Sequence, residues 1–392
     1  MKRLLCAAIP VLVSCGLVEV NPGQNNDADK IWHGPSVGSD VPACWSTAFI
    51  YPSGLDWRGN GDCDDCTLAV YADLTPVLKV KAGKDYEISS DPERHRVISG
   101  HLYTDFSDGE TTVVRKDGKE VYRYAGSEKI VRMLVKDDSL HTLCVSSADQ
   151  GFRYRIDGKL VLERASGKVF RWLVLSDEGV VFFFSNPVKE SSGVTERHYM
   201  SVDGVVINID FGNDVKKVWD IKLIDGQICA VLALTGRDEL VLSKGGERTT
   251  LKGVRDVLTA CFLDSDGLCV NVRYMDVAYG QTSVFWNGER GWSRFYAGRT
   301  ASAAYMSDNG LSVVYDAADE SFYGAIICRN IYNAMPSGYS VRGLSPMVDM
   351  GDALYLGLSS DDGPVVWIDG KIHPLRINGY IARMSSSDDI SG

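Results

Sequence analysis

The stretch VVWIDGKIHPL, Val365–Leu375, places an Asp-Gly pair between two apolar runs. A tight two-residue hairpin turn needs positive φ angles, which Asp and Gly tolerate, so the pattern predicts two antiparallel strands joined by this turn. The same pattern occurs in four further stretches, VVRKDGKEVY (Val113–Tyr122), FRYRIDGKLVL (Phe152–Leu162), YMSVDGVVI (Tyr199–Ile207) and SVFWNGERGW (Ser283–Trp292). One hairpin is therefore repeated along the chain.

The hairpins recur at a nearly constant spacing. The turns centre on Asp73, Gly118, Gly158, Gly204, Gly245, Gly288, Asn330 and Gly370, of which those at Gly245 and Asn330 are weaker. Successive turns are 40 to 46 residues apart, and a second turn such as KDDS, SDEG or SDNG recurs within the repeat. Four short strands in a repeat of this length are typical of a β-propeller. Eight hairpins predict a single all-β propeller of eight four-stranded blades, with seven as the alternative.

The two ends of the chain complete one repeat between them. GYIARMSSSDD (Gly379–Asp389) matches KIVRMLVKDDS (Lys129–Ser139), which is the first strand of a repeat, but no further strands follow it. The missing strands are present near the N-terminus as STAFIY (Ser46–Tyr51), TLAVYA (Thr67–Ala72) and PVLKV (Pro76–Val80). We therefore expect one blade from both ends, which closes the ring and removes exposed sheet edges.

The N-terminus has the pattern of an export signal. Met-Lys-Arg precedes a short apolar run, Leu4–Val13, which is too short to span a bilayer. The run ends in LVSC, and this resembles the lipobox of bacterial lipoproteins, in which cleavage precedes the Cys and lipid is attached to it. The resemblance implies lipidation of Cys15; the alternative is a plain secretory signal with an incidental Cys.

These signals divide the chain into three parts. We expect a lipoprotein signal peptide at 1–14, a flexible lipid tether rich in Asn, Gly, Asp and Pro at 15–40, and the propeller domain at 41–392. The repeats and the leader together resemble lipoprotein propellers with W-x-N-G or D-G hairpins, which are common in bacterial cell envelopes. That resemblance implies fold and a lipid-anchored location, the outer membrane more than the inner, and it carries no catalytic residues over.

The charge of the chain argues against nucleic acid as a partner. The formal net charge is −11, and it falls to −13 once Lys2 and Arg3 leave with the signal peptide. Phosphate contact requires a basic surface, and no basic run provides one.

An arginine recurs near the start of the first strand of the repeat. Its members are Arg132, Arg171, Arg342 and Arg383, with Arg255 and Arg299 as further candidates, while Trp219 stands in its place in KKVWD. Guanidinium groups that converge at a channel mouth could bind carboxylate or sulfate groups, and Trp172 and Trp219 could stack on a sugar or an aromatic ring. The alternative is that each Arg pairs with a loop acid and fixes a blade corner.

The loop PSGLDWRGNGDCDDC, Pro52–Cys66, contains candidate metal and disulfide residues. Asn60, Asp62 and Asp64 alternate in the manner of calcium ligands, but the Gly and the closing Glu of a calcium loop are missing, which favours a solvated acidic loop. No other cofactor is predicted. Cys63 and Cys66 lie near Cys44, and in an oxidising envelope we expect a disulfide between Cys44 and one of the pair rather than a zinc site.

No motif for catalysis is present. G-x-S-x-G, H-E-x-x-H and a phosphate loop are all missing from the sequence. The leading hypothesis is a non-catalytic envelope binding or scaffold protein with an anionic or carbohydrate ligand, or a partner protein, at the channel mouth. A glycoside hydrolase or polysaccharide lyase, with carboxylates assembled from several blades, is the alternative. A purely structural part of an envelope complex is the third hypothesis.

Overall fold

The structure, a computed structural model, is all-β in the part of the chain that it describes. The described residues are 44–51, 66–82, 94–107, 109–126, 128–146, 151–165, 167–190, 193–224, 226–236, 239–251, 258–263, 270–275, 280–286, 289–295, 301–307, 310–315, 325–328, 331–334, 339, 347–350, 353–360 and 362–386. None of these segments forms a helix with the length and apolar character that crossing a membrane requires. The prediction of an all-β chain is confirmed.

The described residues form thirty-two strands. The first sixteen are β1 (Cys44–Ile50), β2 (Thr67–Ala72), β3 (Thr75–Lys81), β4 (His95–Ile98), β5 (His101–Ser107), β6 (Thr111–Lys116), β7 (Lys119–Ala125), β8 (Glu128–Lys136), β9 (Ser139–Ser146), β10 (Phe152–Ile156), β11 (Lys159–Arg164), β12 (Lys168–Ser176), β13 (Gly179–Glu190), β14 (Gly193–Val202), β15 (Val205–Ile209) and β16 (Val215–Ile224). The remaining strands are β17 (Gln227–Leu234), β18 (Leu240–Lys244), β19 (Glu247–Thr250), β20 (Leu258–Leu263), β21 (Val270–Met275), β22 (Gly280–Trp286), β23 (Glu289–Phe295), β24 (Ala301–Ser307), β25 (Gly310–Tyr315), β26 (Ala325–Cys328), β27 (Ile331–Ala334), β28 (Met347–Asp349), β29 (Leu354–Ser360), β30 (Gly363–Ile368), β31 (Lys371–Pro374) and β32 (Gly379–Ser386).

The strands pair into eight antiparallel sheets of four within the described residues. Seven of these sheets, the second to the eighth, each use four consecutive strands, starting with β4–β7 and ending with β28–β31. The first sheet has the order β3-β2-β1-β32, so that the last strand of the chain pairs with the first: Trp45 faces Ser385 and Ile50 faces Gly379. The sheets are consistent with a propeller. A closed ring of eight blades, or of seven, stays a prediction.

Neighbouring sheets pack against each other face to face. On β13, Phe182 and Phe184 belong to a core cluster shared with the third sheet, whereas Val181 and Phe183 belong to a cluster shared with the fifth. Successive side chains of a strand point to opposite faces, so both faces of this sheet are buried. A strand buried on both faces needs apolar residues throughout, which explains the run VVFFF at 180–184.

Burial changes across the third sheet from one edge to the other. β8 at one edge of the third sheet is largely buried, whereas β11 at the other edge is largely exposed. The equivalent buried-edge strands of neighbouring sheets contact each other, for example β8 with β12, β16 with β20 and β28 with β32. We call β4, β8, β12, β16, β20, β24, β28 and β32 the inner strands, and β3, β7, β11, β15, β19, β23, β27 and β31 the outer strands.

Five hairpin turns, the four Asp–Gly turns and the turn at Asp73, bind back to a third strand of their own sheet. The aspartate side chain accepts the backbone N–H of a residue at the start of the second strand counted from the inner edge. The pairs, at 2.9–3.1 Å, are Asp73 with Cys44, Asp117 with Leu102, Asp157 with Leu140, Asp203 with Val180 and Asp369 with Leu354. The backbone N–H of each aspartate donates to the carbonyl of the same partner, at 2.7–3.3 Å. Three strands are thereby joined at one point.

The backbone of these turns explains the residue pair. In the four Asp–Gly turns the aspartate has φ between 43° and 50° and the glycine between 75° and 92°. Positive φ at both central residues defines the type I′ turn, whose twist matches that of a hairpin. Aspartate tolerates the left-handed region better than most residues and also supplies the acceptor.

The preceding sheet packs onto the same turn. A Cβ added at Gly158 would lie 3.1 Å from the Tyr122 ring, and one at Gly204 would lie 2.5 Å from a methyl group of Val161. Tyr122 and Val161 are on the outer strands β7 and β11 of the preceding sheets. The Tyr122 hydroxyl also donates to Asp157, at 2.9 Å. The glycine is therefore required for two reasons: it adopts the positive φ of the turn, and its lack of a side chain lets the neighbouring sheet pack closely.

These contacts change the pKa of two turn aspartates. Burial alone would raise the pKa of Asp157, but hydrogen bonds from the Leu140 N–H and the Tyr122 hydroxyl outweigh it and lower the pKa. Burial opposes the shift at Asp203 as well, and the Val180 N–H and the Lys136 ammonium lower its pKa. A lowered folded-state pKa contributes stability above the unfolded pKa, and this contribution is lost as the pH falls through the folded value.

We predict that Asp157→Ala lowers the free energy of unfolding by about 1–3 kcal/mol, because a part-buried N–H and a tyrosine hydroxyl lose their acceptor. Asp157→Asn should lose less, because its side-chain oxygen can still accept the Leu140 N–H. The control is Asp177→Ala in an exposed turn, where we expect a change within about 0.5 kcal/mol. Urea unfolding of the three variants measures this, and equal midpoints for Asp157→Ala and Asp177→Ala would contradict it.

Candidate functional site

The inner strands carry β-bulges. In six of the eight inner strands that the structure describes, β8, β12, β16, β20, β24 and β32, the register against the adjacent strand shifts because the inner strand has one or two extra residues. A bulge bends its strand and redirects the side chains that follow it, and bulges are frequent next to functional sites. The repeated bulges mark one level of the inner strands as a candidate site.

Arg132 and Arg383 occupy equivalent places directly after a bulge. Arg132 pairs with Leu143 and Arg383 pairs with Thr47. Leu143 stands three residues after Leu140, which Asp157 binds, and Thr47 stands three residues after Cys44, which Asp73 binds. The sequence comparison that aligned these two arginines is therefore confirmed by their register.

The two arginines differ in their surroundings. The Arg132 side chain is half-buried, and its Nη1 donates to the carbonyl of Val131 at 2.8 Å. Arg383 is buried, with 9% of its surface exposed. Arg132 is thus the member of this pair that keeps part of its side chain accessible to solvent.

Trp219 does not occupy the arginine position, which corrects the alignment made from sequence. It is the extra residue of a bulge in β16, and Asp220 pairs with Val231 at the place equivalent to that of Arg132. The ammonium of Lys217 lies 3.2 Å from the centre of the Trp219 ring and covers one of its faces. The inserted residue shifts the register by one position, and a comparison by turn spacing does not register it.

Sequence reasoning missed two arginines on and beside the inner strand of the second sheet. Arg96 is fully buried; its Nη1 lies 3.5 Å from Asp105 and its Nη2 donates to the carbonyl of Ile130 in the next sheet at 2.9 Å. Arg94 reaches the same Asp105 carboxylate at 3.2 Å. The repeat gave no signal for Arg96, because it pairs with Tyr103, one residue after Leu102, and so lies at a different place in the register from Arg132.

The remaining predicted site residues are only partly covered by the structure. Arg171 and Trp172 lie on β12, but their side chains are outside the described part. Outside the described residues altogether are Cys15, Asn60, Asp62, Cys63, Asp64, Arg255, Arg299 and Arg342. Among the residues described, no group of three or more His, Cys, Asp or Glu side chains could hold a metal ion.

The predicted disulfide of Cys44 is wrong. Cys44 is a free, buried thiol, and burial raises its pKa, whereas Cys66 is disulfide-bonded. The register explains the result, because Trp45 pairs with Ala72 whereas Ile50 pairs with Thr67. Cys44 and Cys66 therefore stand at opposite ends of the β1–β2 pair, about 20 Å apart at 3.3 Å per residue. A disulfide needs Cα atoms within about 7 Å.

Two cavities lie between neighbouring sheets rather than at the bulges. One, of about 370 Å³, separates the first sheet from the eighth and is lined in part by Lys79 and His373. The other, of about 490 Å³, lies between the fourth and fifth sheets beside Met200 and Ile228. Neither cavity involves Arg132 or Arg383.

Comparisons with known proteins give similarity only at the level of structure. No model of a protein family matches the chain, and no curated protein matches it either. Similar solved structures include a puromycin-hydrolysing peptidase from Mycobacterium tuberculosis, at 12% identity and a TM-score of 0.44 over 74% of this chain and 55% of that one. The chain thus spans about half the length of that peptidase.

Two further solved structures are similar. The β-propeller domain of the Trilobed protease from Pyrococcus furiosus is 9% identical, with a TM-score of 0.41 over 69% of this chain and 87% of that one. Dihydro-heme d1 dehydrogenase NirN is 13% identical, with a TM-score of 0.42 over 77% of each chain. At these values the similarity adds nothing to an argument about function.

We predict that Arg96→Ala destabilises the fold by about 3–5 kcal/mol, because it removes one guanidinium from a buried carboxylate and breaks a bond between two sheets. The control is Arg123→Ala on the outer strand β7, whose exposed pair with Glu120 should contribute about 0–1 kcal/mol. Thermal unfolding compares the two variants. Similar losses of stability in both variants would contradict the prediction, because the buried Arg96–Asp105 pair would then contribute no more to stability than the exposed Arg123–Glu120 pair.

Proposed function

We propose that this protein is a lipid-anchored, non-catalytic binding protein of the bacterial cell envelope, built as a closed propeller of eight blades. The single observation that carries the binding role is the equivalent placement of Arg132 and Arg383 after bulges of inner strands. The lipobox-like LVSC supports an anchor at Cys15, with the outer membrane as the favoured location. The tether that follows, if extended, would reach up to about 90–100 Å from the lipid to β1.

Contacts between the sheets support the closed ring. Inner strands of neighbouring sheets meet as β32 with β4, β8 with β12, β12 with β16, β16 with β20, β24 with β28 and β28 with β32. The chain ends share the first sheet, which contacts both the second and the eighth. A ring in which each sheet is covered on both faces by its neighbours explains why strands such as β13 are apolar on both sides.

Closure predicts a large effect of removing β32. We expect deletion of residues 379–392 to lower the melting temperature by far more than a surface truncation would, because it opens the edge of β1 and removes Ile381 and Met384 from the apolar cluster that covers Cys44 and Val366. Deletion of residues 387–392 leaves β32 complete and is the control. Calorimetry on both truncations measures the effect, and an unchanged melting temperature in the longer deletion would rule out closure.

The charges on the inner strands indicate the kind of ligand. In the first three sheets Arg383, Arg94, Arg96 and Arg132 lie on or beside the inner strands, together with the buried carboxylates of Asp105 on β5 and Glu128 on β8. Guanidinium groups bind carboxylate and sulfate in a bidentate manner, so an acidic envelope polysaccharide fits this side.

Binding of acidic glycans to the full-length protein tests the proposal. We expect carboxylated or sulfated oligosaccharides to bind on a glycan array and their neutral counterparts to fail. Arg132→Ala should weaken binding about tenfold or more, with little change in melting temperature, because the side chain is half-buried. Arg132→Lys should recover only part of the affinity, because an ammonium lacks the planar fork.

Arg123→Ala on the exposed outer strand is the control for loss of charge alone. Equal binding by Arg132→Ala and the wild type, or equal binding of neutral and acidic glycans, would overturn the assignment of this face. Release of shortened products during the assay would favour the glycoside hydrolase or lyase alternative instead.

A further inference from the structure

The seam between the first and eighth sheets contains a cavity of about 370 Å³. The first sheet contributes Tyr71, Leu74, Pro76 and Lys79 from β2, β3 and the turn between them. The facing wall is His373, Pro374, Leu375 and Ile377, from β31 and the segment that leads into β32. Parts of the chain some three hundred residues apart thus meet at this cavity.

The lining of the cavity is mostly apolar and includes three side chains with polar atoms. Five of the eight lining residues are Leu, Ile or Pro, and the others are Tyr71, Lys79 and His373. No Asp or Glu lines the cavity. Small-molecule sites are typically concave and mostly apolar, with a small number of convergent polar groups, and volumes begin at roughly 300 Å³.

Lys79 carries the positive charge at this cavity. Within the part of the chain that the structure describes, Lys79 forms no ion pair. The Lys79 residue is partly buried. A cation held beside apolar walls in an acidic chain favours an anionic partner.

The backbone beside the cavity is held in an uncommon conformation. Arg376, between the lining residues Leu375 and Ile377, has φ of 53°, which lies in the left-handed region. A long side chain rarely adopts this conformation, and such residues cluster at ligand-binding sites because the surrounding structure must maintain them. Here hydrogen bonds fix both sides of the segment: Leu375 N–H donates to Pro364 at 3.1 Å, and Asn378 accepts from Tyr51 at 2.8 Å.

We propose that this cavity binds a small carboxylate with an apolar body. The carboxylate contacts the Lys79 ammonium and the His373 imidazole, and the apolar body packs on Leu74, Pro76 and Leu375. This site is separate from the inner-strand arginines, so it stands or falls independently of the acidic-glycan proposal.

Isothermal titration calorimetry on the full-length protein tests the proposal with 4-phenylbutanoate as the probe. Its neutral and cationic analogues, 4-phenylbutan-1-ol and 4-phenylbutylamine, have the same apolar body. We expect the carboxylate to bind at least about tenfold more tightly than the alcohol, because a hydrogen bond to a charged group contributes more than a neutral one. The amine should bind least.

Substitutions separate this site from adventitious binding. Lys79→Ala should weaken 4-phenylbutanoate about tenfold or more and abolish the preference over the alcohol. Lys371→Ala removes the same charge from an exposed position two residues before His373 and should bind like the wild type. The proposal is overturned if the probe does not bind at millimolar concentration, if the alcohol binds as tightly, or if Lys79→Ala and Lys371→Ala behave alike.

Discussion

The hydrogen bond from a turn aspartate to the start of the neighbouring strand is the interaction on which the rest of the structure depends. A two-residue hairpin fixes only the two strands that it joins. The Asp side chain extends this control to a third strand, because it accepts the N–H of residues such as Leu140 and Val180. The register of three strands is thereby set at one end of each sheet. The repeat can then be short, since long loops are not needed to align the strands.

The same turns also connect one sheet with the next. Tyr122 on one sheet and Asp157 on the following one are joined by a hydrogen bond, and the Tyr122 ring packs where any side chain at residue 158 would stand. Lys136 and Asp203 form a similar contact one sheet further on, at 3.1 Å. Local turn chemistry and packing between sheets therefore select the same residue pair, which explains why Asp–Gly is retained at these turns while the flanking strands differ.

The sequence predicts the turns, the strands and the meeting of the chain ends, because each depends on short patterns. Positive φ restricts the turn residues, apolar runs mark buried strands, and the match of 379–389 to 129–139 identifies the unpaired last strand. The sequence does not predict the bulges, because one inserted residue leaves turn spacing nearly unchanged. That is why Trp219 was aligned with the arginines although Asp220 stands in their place.

The sequence likewise does not predict which residues of paired strands lie close together in space. Cys44 and Cys66 are close in the sequence and were grouped on that basis. The β1–β2 register places them at opposite ends of these two paired strands. The fully buried Arg96 escaped notice for a related reason: its role depends on Asp105 and on a carbonyl of the next sheet, and neither is marked by a local pattern.

The inner-strand arginines differ in how far the fold itself uses their charge. Arg96 is fully buried, paired with an acid and bonded to the next sheet, so its charge is used within the fold. A ligand could reach such a group only by displacing Asp105, at the cost of leaving a carboxylate buried without its partner. Arg132 follows a bulge and keeps part of its surface in solvent. Arg383 also follows a bulge and is nevertheless buried, so the bulge fixes the register of these arginines, and the packing around each one sets its exposure.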